Sequence, residues 1–158
     1  MKKKKYMGTK IIEAAPAIRK GGKVYDANEL IPRSMEPVEE GYKVRYSDGY
    51  ESFSPKDVFE EAYRPIDGMN FGLAIEAAKQ GKKITRRGWN GKGMWVICRS
   101  GYPDGILCNK NTADAVGIPE GTLFKVRPYL QMKCVDDTFQ MWLASQSDIL
   151  AEDWEIVE

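Results

Sequence analysis

Residues 86–95, Arg-Arg-Gly-Trp-Asn-Gly-Lys-Gly-Met-Trp, crowd glycines, tryptophans and fixed cations into one short stretch. Gly88, Gly91 and Gly93 open backbone conformations closed to other residues and let a ligand approach the main chain. Trp89 and Trp95 supply flat apolar faces, while Arg86, Arg87 and Lys92 supply positive charge. Together these are what a nucleotide requires: a stacking surface, amide donors and cations for phosphate. The same composition describes a glycine-punctuated hairpin whose tryptophans face the core, and composition alone leaves both readings open. A second concentration lies at residues 142–154, where Trp142, Ser145, Gln146 and Asp148 mix aromatic and polar groups. Ser145 and Asp148 have the spacing of a capping box, with aspartate in place of the usual glutamate, which implies a capped helical turn. The alternative has Gln146 or Asp148 pointing outward, where an amide or carboxylate reads base edges and ribose hydroxyls.

Several chemistries are excluded. Gly88 and Gly93 have the spacing of the P-loop glycines, but Met94 stands where that loop needs its lysine. A dinucleotide fingerprint fails because Val96 occupies the position of its last glycine. The absence of histidine removes the commonest general base and metal ligand. Cys98, Cys108 and Cys134 form no C-x-x-C pair and are odd in number, so neither a zinc site nor a closed disulfide framework is expected. No catalytic residue, metal ligand or cofactor is therefore assigned. A net charge of +1 argues against a general DNA, RNA or membrane-surface binder. Charge is nonetheless unevenly placed: from Lys79 to Arg99 every charged side chain is basic, and from Cys134 to Glu158 every one is acidic. The blocks either pair across the fold or leave a basic pocket facing an anion. The lysines from Lys2 to Lys5 lack the apolar region of a secretory signal, and no apolar run approaches membrane-spanning length, so a cytoplasmic protein is expected.

The elements that must position these residues divide the chain. Residues 1–64 read as a small unit: a short strand at 10–14, a loop-like stretch at 15–40 broken by Pro16, Gly21, Gly22, Pro32 and Pro37, then a hairpin at 42–53 turning on Ser47-Asp48-Gly49. A helix follows, with Ser54 as N-cap, Pro55 at its first position and Val58, Phe59, Ala62 and Tyr63 on one face, ending before Pro65. Residues 65–68 are the expected linker. In residues 69–158, Asn70 caps a helix with Phe71, Ala74, Ile75 and Ala78 at helical spacing and Gly81 at its close. Short apolar runs at 94–98, 123–126, 129–134 and 139–143 predict an antiparallel sheet, with residues 101–121 as an excursion from it. The fold class is therefore α+β: a small antiparallel sheet packed with a helix, preceded by a domain of hairpin plus helix.

Beyond its periodicities, the order helix, Gly81-Lys82-Lys83, the motif at 86–94, Pro128-Tyr129-x-x-Met132-Lys133, and Trp-Leu-Ala-Ser-Gln-x-Asp-x-Leu-Ala-Glu-Asp-Trp at 142–154 closely resembles the second Thoeris anti-defence family of small phage proteins. The resemblance covers residues 69–158. It implies a non-enzymatic sponge, acting in the cytoplasm of an infected bacterium, that assembles as a homotetramer and sequesters cyclic ADP-ribose-type immune signals. It further implies that some members hold cyclic oligonucleotides at a separate site. Carried over by position, it points to Trp89, Asn90 and Met94 in the first motif and to Trp142, Ser145, Gln146 and Asp148 in the second, with Arg86 or Arg87 meeting phosphates. Residues 1–64 resemble a short domain of phage and prophage proteins, around residues 7–10 and 50–59. Two other functions compete with sequestration: a phage structural or adaptor module with both tryptophan motifs at an interface, and a hydrolase of the same nucleotide using Asp148 or Asp153 as general base.

Overall fold

The computed structural model describes residues 3–158. Lys2, at the start of the lysine run, lies outside the described residues. The chain forms two compact units, Met1–Arg64 and Pro65–Glu158, each with its own antiparallel sheet.

The first unit consists of β1 (Glu13–Lys20), β2 (Lys23–Asp26), β3 (Val38–Arg45), β4 (Glu51–Pro55) and α1 (Lys56–Ala62), with strand order β2-β1-β3-β4. The hairpin expected at 42–53 is present as β3 and β4, and its turn closes through Gly49 N–H donating to Tyr46 O. The stretch read as a loop at 15–40 is corrected: it holds most of β1, all of β2 and the start of β3. Gly21 and Gly22, at φ 57° and 74°, are not breakers but the two-residue turn between Lys20 and Lys23, both in the left-handed conformation that a tight hairpin requires. Pro16 is tolerated inside β1 because β2 pairs only from Ala17 onward, so the strand has a neighbour on one side alone at that point. Ser54 does not cap α1. It stays in the ladder opposite Tyr42, and the helix begins one residue later behind Pro55, without a side-chain cap. Phe59 stacks on Tyr42 and Tyr63, with centroids 4.1 and 4.8 Å away, while Val58 faces solvent.

In the second unit the order is α2 (Phe71–Lys79), β5 (Lys83–Arg86), β6 (Trp95–Arg99), β7 (Tyr102–Leu107), α3 (Lys110–Val116), β8 (Leu123–Val126), β9 (Tyr129–Lys133), β10 (Phe139–Met141), α4 (Gln146–Ile149) and β11 (Trp154–Val157). Asn70 caps α2 by accepting from Leu73 N–H, and Gly81, at φ 86°, ends it. Gly81 N–H reaches Ala78 O and Lys82 N–H reaches Ala77 O, the paired bonds by which a left-handed glycine satisfies the last carbonyls of a helix. Small side chains at Ala74, Ala77 and Ala78 bring α2 close onto a five-stranded sheet of order β10-β9-β6-β5-β11. The core between them contains Met69, Ile84, Val96, Met132 and Trp154.

The sheet differs from expectation in two places. β5 and β11 belong to it, and β8 does not. The β6–β9 pair continues outward as the β7–β8 ribbon, with the register passing from Arg99↔Tyr129 to Tyr102↔Val126 across Gly101 and Pro128. Both sides of β6 are already taken by β5 and β9, so residues 123–126 find a partner only in the excursion, which itself contains α3. Residues 65–68, expected as a linker, run beside β11: Ile156 N–H donates to Ile66 O, and Met69 and Trp154 exchange backbone bonds of 2.9 and 3.1 Å. Among the described residues no helix is long and apolar enough to cross a membrane.

Candidate functional site

β5 delivers the glycine-rich stretch, and the segment from α4 to β11 receives it. Arg86 pairs with Trp154 in the β5–β11 ladder, which fixes its guanidinium beside two carboxylates. Its Nη1 donates to Asp148 Oδ1 and its Nε to Asp153 Oδ1, both at 2.9 Å. Gly88 N–H donates to Asp153 Oδ2 at 2.7 Å, and the Trp89 indole N–H to Asp148 Oδ1 at 3.0 Å. A Cβ at Gly88 would stand 2.7 Å from that Asp153 oxygen, so a larger residue there would push the carboxylate away from the backbone N–H. At the far end of the loop, Thr85 Oγ1 donates to Met94 O at 2.8 Å. Residues 86–94 are thus held down at both ends.

The acidic side of this clamp is built by α4. Ser145 and Asp148 form the capping box that their spacing predicted: Asp148 N–H reaches Ser145 Oγ, and Asp148 Oδ2 accepts from Ser145 N–H and Oγ–H. Both oxygens of Asp148 are therefore occupied, and the residue is only 7% exposed. Burial pushes its pKa up, but hydrogen bonds from Ser145, Trp89 and Arg86 outweigh that and bring it down to about 2. Asp153 is lowered as well, chiefly by its hydrogen bond from Arg86. Arg86 is raised, first by Asp153.

Around this network the aromatics pack edge to face. The Trp89 ring lies 5.9 Å from Trp142 and 5.4 Å from Trp154 at angles above 70°, Trp142 lies 6.0 Å from Trp154, and Phe71 lies 5.4 Å from Trp154. Such contacts add about 0.5–1.5 kcal/mol each beyond the apolar area they bury. Trp154 is fully buried and its indole N–H donates to Asp148 O at 2.9 Å. One aspartate thus joins the helical turn, the basic strand and two tryptophans.

The residues singled out from sequence consequently fall into two groups. Arg86, Trp89, Met94, Trp142, Ser145 and Asp148 are brought together, but by packing and internal hydrogen bonding: Trp89, Met94 and Trp142 line the core, and Arg86 is spent on carboxylates. Asn90 and Gln146 are exposed, as is the neighbouring Lys92. Arg87 is intermediate in kind, with 63% of its side chain exposed, its Nη2 on Asp67 O and its Nε 3.3 Å from Glu155. Of the two outcomes for the opposed charge blocks, pairing accounts for Arg86 entirely and Arg87 in part. Sequence reasoning gave Asp153 no positioning role. The signal that could have found it was the acidic block itself, matched to a basic block of similar length.

Fold and site together define an α+β module organised round a carboxylate-clamped glycine loop. The chain belongs to the Thoeris anti-defense 2-like domain family, whose model matches residues 69–157. It is 36% identical over 89 residues to Thoeris anti-defense 2 of Bacillus phage SP01, a match spanning 56% of this chain and 94% of that protein. Family membership places the second unit in a phage anti-defence role.

Proposed function

We propose that residues 69–158 bind and sequester nucleotide-derived immune signals, glycocyclic ADP-ribose isomers first and cyclic oligonucleotides second, and release them uncleaved. The observation that carries this reading is the clamp. Asp148 and Asp153 hold the 86–94 loop in one conformation while leaving Asn90, Lys92 and Gln146 exposed. A loop ordered beforehand loses less entropy on binding, which favours tight capture. Trp89 then acts through the shape it gives the loop, and Asn90 and Gln146 supply the polar contacts, with Arg87 and Lys92 turned to phosphate.

Retention without cleavage is supported by the state of the two aspartates, the groups nearest to a general base. Carboxylates already saturated with donors and held below their ordinary range are weak proton acceptors at neutral pH. The protein acts in the cytoplasm of the infected bacterium, where such signals are made.

The same reading includes a homotetramer. β10 is an edge strand whose Phe139 and Met141, with Leu143 just beyond it, are 55%, 71% and 91% exposed, an apolar edge that an identical copy would cover. Light scattering should return four times the mass of the chain, and a monomer at micromolar concentration would remove the assembly. For the ligand, wild-type protein is loaded with a glycocyclic ADP-ribose isomer, heated and chromatographed. Intact ligand is the expected result. A cleaved product would favour the hydrolase, and failure to bind any cyclic nucleotide would favour the adaptor module.

A further inference from the structure

Asp148 and Asp153 reach the glycine loop only at Arg86, Gly88 and Trp89. The next residues rest on an element that neither tryptophan motif contains, the turn of residues 134–138 between β9 and β10. One contact is steric: a Cβ built on Gly91 would overlap Val135 Cγ2 and Met94 Sδ, so the bare backbone of the loop lies against the valine methyl. Gly91 is not among the glycines with positive φ, and what the position needs is therefore the absence of a side chain rather than a special conformation. The other contact is polar. Lys133 Nζ donates to Gly93 O at 3.4 Å, a long bond, and lies 2.6 Å from the Asp137 carboxylate, with 22% of the lysine side chain exposed.

The turn is itself firmly made. Cys134 N–H donates to Thr138 O at 2.8 Å, and Thr138 N–H and Oγ–H both reach Asp136 Oδ1, at 3.2 and 2.6 Å. Asp137 takes φ 62°, alone among the described non-glycine residues in having a positive φ, and its carboxylate is the one that pairs with Lys133. Val135 is 58% exposed and Asp137 largely in solvent, so neither contributes much to the core, and an exposed ion pair adds little stability of its own. What these residues do act on is the loop. Asn90 stands between Trp89, tied to Asp148, and Gly91, set against Val135; Lys92 stands between Gly91 and Gly93. Both exposed side chains are thus bracketed by fixed neighbours. We propose that the β9–β10 turn is a positioning element of the ligand site, Val135 and Lys133 acting through Gly91 and Gly93 to set the directions of Asn90 and Lys92. The proposal rests on the sequestration function of the second unit, since it gives those two side chains a ligand to meet.

Two measurements on the full chain test it: amide order parameters of the isotopically labelled protein without ligand, and calorimetric titration with a glycocyclic ADP-ribose isomer. In wild type the amides of residues 90–93 should lie near the rigid value of about 0.85, and in Val135→Ala they should fall toward about 0.6. Lys133→Met, which keeps the stem and removes the donor, should loosen the same amides independently. Each variant should weaken the ligand roughly tenfold, because side chains ordered beforehand in wild type must then be ordered on binding. Val135→Thr keeps the branched shape and should restore both order and affinity, and the melting temperature should hold throughout. Unchanged order parameters in both Val135→Ala and Lys133→Met would overturn the proposal. So would loop order lost only in step with the melting temperature, or not regained in Val135→Thr. The ligand-free order parameters decide the role of the turn even if wild type binds nothing, a result that would count against sequestration alone.

Discussion

In the second unit Trp89, Trp142 and Trp154 face one another, the indole N–H groups of Trp89 and Trp154 are both spent on Asp148, and Arg86 is only 16% exposed. In the first unit Tyr46 and Tyr50 stack at the surface, Lys10 hovers over a ring, and Arg45 stands 3.9 Å from its nearest carboxylate. The residue types are similar, namely aromatics beside fixed cations, yet burial turns one set into a fastening and leaves the other open. A cation beside an aromatic ring is a ligand site only if its donors are unspent, and that depends on where the acids of the chain fold. In the second unit the acidic C-terminal block returns to the basic strand. In the first, Glu13 and Arg45 share a ladder position but remain too far apart to saturate each other.

The contrast can be broken most forcefully at the tryptophans. Trp89 is partly buried and packs against the core. Removing such an aromatic leaves a cavity, so Trp89→Ala should destabilise the second unit by about 3 kcal/mol or more, read as a lower denaturant midpoint, whereas Tyr50→Ala in the first unit should leave melting nearly unchanged. Equal losses at the two positions would erase the distinction. Next in size is Arg86→Ala, which strands Asp148 and Asp153 without their cation and should cost about 3 kcal/mol. Lys43→Ala, removing exposed contacts of 3.6 and 3.7 Å to Asp26 and Glu51, should stay within about 1 kcal/mol.

A smaller effect sharpens the comparison through pH. Asp148 has a folded pKa of about 2 against an unfolded value near ~3.9. Its depression therefore contributes stability that is fully present above pH ~4 and is lost as pH falls through about 2, amounting to about 2 kcal/mol. Asp153 acts in the same direction. Denaturation curves for wild type and Asp148→Asn should diverge at pH 6 and converge near pH 2. Parallel curves over that range would mean the carboxylate is not the fastening.

Much of this was legible in the sequence where local chemistry decides. Asn70, Gly81 and the Ser47-Asp48-Gly49 turn do what their types and positions imply, and the Ser145/Asp148 spacing gives its capping box. What escaped was decided at long range. β5 is four residues with cations at both ends, and only the returning β11 makes it a strand. Pro16 and Gly21-Gly22 read as breakers until the register shows one beside an edge and the other two in a hairpin turn. At the site, the sequence marked the right cluster but could not say which members face inward. That follows from a partner more than fifty residues away, Asp148, reaching Arg86 and Trp89.

The most direct test of the sequestration account is calorimetric titration of a glycocyclic ADP-ribose isomer into wild type, Asn90→Ala and Gln146→Ala, with melting followed alongside. Tight binding by wild type, weakened roughly tenfold or more in each variant at unchanged melting temperature, is the expected result, since each exposed side chain would lose hydrogen bonds to a charged ligand. Undiminished binding in both variants, or none in wild type, would contradict it.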